Sequence, residues 1–485
     1  MSPFDREHLD RIRSTAAELV EDYQMPGLAV GVVSGQAPVL AEGYGYADIE
    51  SRRPQSPSLR HRIGSVSKLM VGLCAMALVD EGRLSLDDRV IEKLPDIQMI
   101  GPAESLTVQH LLTHTGGIGE APTMDDYLDP WPLLFSDSPE IPAVREAYPK
   151  GITVEVEPGT KWSYANHGFA LLGEIIAREE GAPIEKVLRQ RVFDPLGMTS
   201  TDSLDQPHPG LTTGYHLAPQ LDDMELNDLL GKDTSWEAPV DGHNIRGHHQ
   251  YVVPRAAGAV ESTVADMARF ASALLREGAG IVLSSTFHSM ISAQWCPDDR
   301  LFSLGLVFMR QRRFGRATFG HYGTIFGGWQ TAFTVFPDDD LAVIVFSNRA
   351  VDPDFLRIES RLVQTVLDAP DQVPSGSATS PQVLESAAGV YEFTPGHLTN
   401  FRNTRAIGRV QITVREGELW LRTRRGPWRE GLRMVPDASG LFALDTGDPE
   451  PPQVSLVLDG NGEVAELRFD RLVHMVKSES LSPWA

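Results

Sequence analysis

A serine hydroxyl is a poor nucleophile at neutral pH unless a base within hydrogen-bond reach takes its proton. Ser65 and Lys68 stand three residues apart. At the start of a helix that spacing puts both side chains on one face, one turn apart. Lysine serves as the base where burial or nearby cations make its charged form costly. A Ser-x-x-Lys pair alone is weak, because on an exposed helix it usually means nothing. Here Arg62-Ile63-Gly64 ends a strand-like stretch and the helix that follows is apolar, which would bury the pair rather than expose it.

Two more groups add chemistry. The turn Pro158-Gly159-Thr160-Lys161 leads to Tyr164 and Asn166. Tyr164 reads either as packing at a helix entry or as a phenol relaying a proton between nucleophile and leaving group. In the second case Asn166 positions Lys68 or a substrate carbonyl. Further on stands Gly320-His321-Tyr322-Gly323-Thr324. A lone histidine in such a place is more often structural or solvated. Gly323 leaves room for a substrate backbone beside the strand, and the Thr324 amide could pair with the Ser65 amide as an oxyanion hole.

The elements that must position these residues follow from periodicity. Residues 5–24 place Leu9, Ile12, Leu19, Val20 and Tyr23 on one helical face, and Pro26 follows where the pattern stops. Residues 27–34 and 39–49 read as a strand hairpin around Gly35 and Pro38. From Ser65 to Glu81 apolar residues recur at helical spacing, closed by Gly82. Three apolar runs at 314–323, 328–337 and 341–348 read as strands joining the first sheet. Helices at 170–180 and 263–277 make this body α+β rather than alternating parallel. The polar, irregular segment 203–253 reads as a lid or binding insertion.

Residues 369–381 are dominated by Pro, Ser, Gly and Thr, so a linker is expected over 369–383, between a domain at 1–368 and another at 384–485. The runs GVYEF, VQITVR, ELWLRT, VSLVLD and VAELRFD, separated by turn signals, predict a small β-barrel or sandwich there.

With 485 residues, more than one domain is expected. A net charge of -23 repels nucleic acid and anionic membrane surfaces. The most apolar run, Leu69 to Val79, is shorter than the roughly 20 residues of a membrane helix. The opening MSPFDREHLDRI lacks the pattern of a secretory leader, and two cysteines, Cys74 and Cys296, suit a reducing compartment. A cytoplasmic protein is expected. The loose group His243, His248 and His249 has no second set at ligand spacing, so no metal site is expected. Neither a Gly-x-Ser-x-Gly elbow nor a Gly-x-x-x-x-Gly-Lys loop is present.

Ser65-x-x-Lys68, Tyr164-x-Asn166 and His321-x-Gly323, in that order, resemble the three signature motifs of class C β-lactamases, DD-peptidases and their esterase and D-aminopeptidase relatives. Three segments support the likeness: Thr107 to Gly117, Ala257 to Met267, and Gly327-Gly328-Trp329. The resemblance covers about residues 5–365. It implies a sandwich of antiparallel sheet and helices with an all-helical lobe, Ser65 as nucleophile, Lys68 as base and Tyr164 as relay. Asn166 and His321 complete the implied catalytic set. Substrate would dock like a β-strand along 323–326, with Gly258, Gly323, Thr324 and Ile325 in contact. No metal or organic cofactor is implied.

Two departures qualify this. His321 stands where β-lactamases and most DD-peptidases carry lysine, a change associated with esterases, D-aminopeptidases and peptide-cyclising relatives. The C-terminal part resembles the lipocalin-like barrels of D-aminopeptidase-like members and penicillin-binding-protein-type thioesterases. The expected reaction is acyl transfer from an amide, ester or thioester of a small peptide, one containing D-residues. The acyl acceptor stays open: water would make a peptidase, amidase or simple carboxylesterase, and a substrate amine a stand-alone cyclase of carrier-linked nonribosomal peptides. A catalytically silent binding protein of the same fold is the alternative from another class. Oligomeric state is not legible.

Overall fold

The computed structural model describes residues 4–120, 133–203, 206–217, 239–350, 354–372, 376, 379–393, 408–470 and 474–478. Of the polar segment 203–253, residues 204–205 and 218–238 lie outside the described residues, as do 373–375 and 377–378 of the linker. The chain divides into two compact units. The second begins at Ala369 and takes with it Cys296–Ser303 and Gln311–Gly315, two segments that composition gives no reason to detach.

The first unit opens with α1 (Arg6–Asp22), started by the Asp5 carboxylate, which accepts the His8 amide at 2.8 Å. It buries Ile12, Ala16 and Leu19. The hairpin of β1 (Gly27–Ser34) and β2 (Ala37–Asp48) turns through Gly35 and Gln36, both at positive φ, as a two-residue turn needs. Pro38 therefore lies inside β2 and not in the turn. It pairs with Val33 where the register shifts, a bulge that tolerates the missing N–H.

After β3 (Arg53–Pro54) come α2 (Ser67–Asp80), α3 (Asn166–Glu180) and α4 (Val264–Leu275). Then follow β4 (Ser303–Leu304), β5 (Met309–Arg313), β6 (Arg316–Ile325), β7 (Trp329–Phe336), β8 (Leu341–Ser347) and α5 (Phe355–Leu367). The eight strands form one sheet in the order β4-β5-β6-β7-β8-β1-β2-β3. The N-terminal hairpin thus inserts beside the last strand: Leu28 pairs with Ser347 and Ser34 with Leu341, antiparallel.

Both faces of the sheet are covered, which is why β1 and β8 are apolar throughout rather than alternating. On one face α1 meets α5, with His8 Nε2 2.9 Å from the Thr365 carbonyl. On the other, α4 lies so close to β1 that a Cβ at Gly31 would stand 2.7 Å from Val264 Cγ1. Helix α2 is buried on all sides and with α3 centres a helical lobe whose core is continuous with that of the sheet. The expected α+β sandwich with a helical lobe is what the chain forms.

The second unit holds α6 (Pro381–Ala387) and a closed barrel of eight strands: β9 (Gly389–Phe393), β10 (Val410–Arg415), β11 (Glu418–Thr423), β12 (Leu432–Pro436), β13 (Phe442–Leu444), β14 (Gln453–Leu458), β15 (Val464–Phe469) and β16 (His474–Lys477). Closure pairs β9 with β16. The interior is filled by side chains including Tyr391, Ile412, Leu421, Met434, Leu467 and Met475. Among the described residues, no helix is long and apolar enough to cross a membrane.

Candidate active site

The turn that carries Ser65 is built from Gly64 upward. Gly64 has φ +53°, a conformation L side chains rarely adopt, and opens a short 3-10 turn, Gly64–Val66, that runs into α2. Ser67, fully buried, pins this turn: its hydroxyl donates to the Gly64 carbonyl at 2.6 Å and accepts the Val260 amide at 3.2 Å. Ser65 is left partly accessible at the end of α2.

One turn on, Lys68 is fully buried. Its Nζ lies 2.9 Å from Ser65 Oγ, 2.9 Å from Asn166 Oδ1 and 2.7 Å from the Ala257 carbonyl. Two of these partners, an amide oxygen and a carbonyl, can only accept. As an ammonium Lys68 donates to all three of these oxygens; once it has lost a proton, two N–H donors remain for the two acceptors and the lone pair can face the Ser65 hydroxyl. The arrangement therefore satisfies a lysine that acts as base, at a spacing suited to proton transfer.

Asn166 is the first residue of α3, so the helix that carries it aims its side chain back at α2. Tyr164 precedes that helix and places its ring 4.9 Å from Lys68 Nζ, with Phe169 on a further side at 5.4 Å. The ring of His321, in β6, has its centroid 6.2 Å from that of Tyr164. Its Nδ1 lies 2.6 Å from the Tyr322 carbonyl, which assigns the proton to Nδ1. Burial and the charge of Lys68 push this imidazole down to about 3, so it is neutral at physiological pH.

The strand carrying Thr324 abuts the turn that carries Ser65: a Cβ at Gly64 would stand 2.9 Å from the Thr324 amide nitrogen. On its side-chain side Gly323 meets protein: a Cβ there would stand 2.0 Å from the Ile63 carbonyl and 2.5 Å from Thr331 Oγ1. That glycine lets β6 close on the turn, and Thr331 Oγ1 donates to the same carbonyl at 2.9 Å. Gly258 also faces Gly64, with 3.7 Å left for a Cβ. Ile325 is buried with Phe326, Trp329 and Leu211 in an apolar cluster, so its side chain serves packing.

The structure thus brings Ser65, Lys68, Tyr164, Asn166, His321, Thr324 and Gly258 into one place. Two groups have no counterpart in the sequence reading. The Ala257 carbonyl is a backbone atom, to which no side-chain pattern points. His114, 3% exposed, is the other: its ring stacks on Tyr164 at 4.4 Å and 29°. The only signal for it was its place inside the Thr107–Gly117 segment.

The Beta-lactamase family model matches residues 12–367, and the chain belongs to that family, a family of serine hydrolases. Protein flp of Staphylococcus aureus (strain NCTC 8325 / PS 47) is 31% identical over 179 residues, 36% of this chain and 34% of that protein. The chain thus spans about a third of the length of the flp proteins it matches. Penicillin-binding protein 4* of Bacillus subtilis (strain 168) is 24% identical over 387 residues, 77% of this chain and 78% of that one. Among solved structures, SurE aligns with a TM-score of 0.61 at 21% identity over 97% of this chain and 99% of that one. The D-amino acid amidase of Ochrobactrum anthropi SV3 aligns with a TM-score of 0.61 at 22% identity over 74% of this chain and 99% of that one. Both likenesses are to the fold.

Proposed function

We propose that this chain is a serine acyl-transfer enzyme acting on amide, ester or thioester bonds of small peptides that contain D-residues. Lys68 takes the proton of Ser65 as Oγ bonds to the substrate carbonyl carbon, and the carbonyl π electrons move to oxygen. The Ser65 and Thr324 amides donate to that oxyanion. As it collapses, the bond to the leaving group breaks, and the proton held by Lys68 passes through the Tyr164 phenol to the leaving atom. An acyl-Ser65 ester remains, and water or an amine repeats the sequence in reverse to release it.

The contact of Lys68 Nζ with Ser65 Oγ, inside a shell whose other two named partners are acceptors only, carries this reading. The preference for D-residues rests on two relatives of the fold, a D-amino acid amidase and SurE, the latter solved with D-Leu. A neutral His321 in place of a cationic residue favours substrates other than β-lactams.

Labelling with a fluorophosphonate, with Ser65→Ala as control, tests the nucleophile: label lost in the variant is expected, and equal labelling of both overturns it. Mass spectrometry of products from a linear peptidyl thioester ending in a D-residue, and from its peptide amide, then names the acceptor. Linear acid marks a hydrolase and a cyclic product a cyclase. No Ser65-dependent product from either donor overturns the substrate class.

A further inference from the structure

His114 holds the segment around Tyr164 at three points. Its carbonyl accepts the Ser163 amide at 2.7 Å, its Nδ1 accepts the Ala165 amide at 3.1 Å, and its ring stacks on the phenol between them. The two amides that flank Tyr164 are therefore bound to one residue. Phe169 fixes the imidazole further, at 5.1 Å, and Trp162 stands edge-on at 6.4 Å.

The residue is held in a costly conformation to do this. Its φ is +54°, in the left-handed region, where a non-glycine residue persists only if its surroundings require it. The Ala165 amide makes Nδ1 an acceptor and so leaves the proton of the neutral ring on Nε2. That nitrogen is buried with no hydrogen-bond partner among the described residues. Burial and the neighbouring Lys68 and His321 push the imidazole well below its ordinary pKa, so no second charge competes with Lys68 for the phenol.

We propose that His114 is the positioning residue for Tyr164, fixing where the phenol hydroxyl stands by clamping the amides on either side and the face of its ring. The inference rests on the Ser65–Lys68–Tyr164 reading above. It assigns His114 no contact with substrate and no proton transfer.

A double-mutant cycle tests it, read as the rate of Ser65-dependent hydrolysis of an alkyl ester in the full chain, because a departing alkoxide needs the proton that Tyr164 relays. Asn accepts the left-handed conformation and can still accept the Ala165 amide, but it has no ring to stack. His114→Asn is expected to slow hydrolysis by about tenfold or more, since small misplacements of a catalytic group cost up to about a hundredfold. In a Tyr164→Phe background, with no hydroxyl left to place, the same substitution should cost less than about twofold. His114→Gly serves as the second variant, since glycine holds the backbone without strain; added imidazole should restore its rate when Tyr164 is intact and not in Tyr164→Phe. An unchanged rate in His114→Asn, or an equal loss in both backgrounds, overturns the clamp while leaving the Ser65 centre standing. A Tyr164→Phe protein as fast as the original removes the relay itself, and the clamp with it.

Discussion

Gly64 and Thr324 pack so closely that a methyl group on Gly64 would stand 2.9 Å from the Thr324 amide nitrogen. Gly64 also sits at φ +53°, so alanine there pays for a left-handed backbone, about 1–2 kcal/mol, and pushes β6 away from the turn that carries Ser65. If the Ser65 and Thr324 amides share the oxyanion, Gly64→Ala should slow Ser65 acylation by about 100-fold or more, the scale of losing one oxyanion donor. Labelling kinetics on a protein shown by circular dichroism to be folded would check this. Acylation at the original rate would remove Thr324 from the site.

The hydroxyl of Ser67 bridges the Gly64 carbonyl and the Val260 amide, tying the turn that carries Ser65 to the segment that follows the Ala257 carbonyl. Ser67→Ala deletes one donor and one acceptor in a fully buried place, leaving the Gly64 carbonyl and the Val260 amide each short of this partner. A stability loss of about 1–3 kcal/mol is expected from denaturant titration. Acylation should fall far less than in Gly64→Ala, because neither oxyanion amide is displaced directly. A larger loss of rate than in Gly64→Ala would mean that the turn, and not the β6 contact, sets the oxyanion geometry.

What sequence reading reached follows from how local each feature is. Ser65 and Lys68 are one helical turn apart, and Tyr164 and Asn166 share one helix entry, so spacing alone suggests which side chains meet. The Ala257 carbonyl and His114 join the site through the tertiary fold, from 189 residues away in one case and 51 in the other. Glycines carry more than one reason: the sequence offers Gly323 as room for a ligand, and the fold adds that a Cβ there would meet the Ile63 carbonyl. In the barrel, the runs legible as strands were those with apolar and polar residues in alternation, such as β10 and β11. The strands β13 and β16 have three and four residues, too short for a period-two pattern to stand out. Pro38 reads as a turn residue because proline usually is one, and the bulge opposite Val33 explains its place inside β2.

Burial predicts acid lability. His61 and His321 are pushed down to about 3 and His216 to about 4, with desolvation the largest cause in each. A group whose folded pKa lies below its unfolded value near 6.5 binds its proton more readily in the unfolded chain, so stability rises with pH in between. The contribution is complete above about pH 6.5 and is lost as pH falls toward 3–4, at about 1.4 kcal/mol per pH unit for each group. The melting temperature should therefore drop between about pH 7 and about pH 5. His61→Gln should make that dependence shallower by about one proton. An identical slope in the variant would mean that His61 is not desolvated in solution.

Lys68 is asked to be a base, and its neighbours allow that role to be moved in both directions. Asn166→Asp would place a carboxylate where the amide oxygen now meets Nζ at 2.9 Å. An opposite charge holds the proton on lysine, so the acidic limb of the pH–rate profile should move to higher pH by about one unit or more. His321→Lys does the reverse: it adds an ammonium at a site 2% exposed and close enough to Lys68 for the two charges to interact. Like charges disfavour each other, so the acidic limb should move to lower pH, with some loss of stability from the buried cation. Ester hydrolysis followed from about pH 5 to about pH 10 for the two variants and the original chain reads both shifts. Opposite displacements are expected if one lysine accepts the Ser65 proton, whereas limbs that stay put or move together would assign that proton to another group.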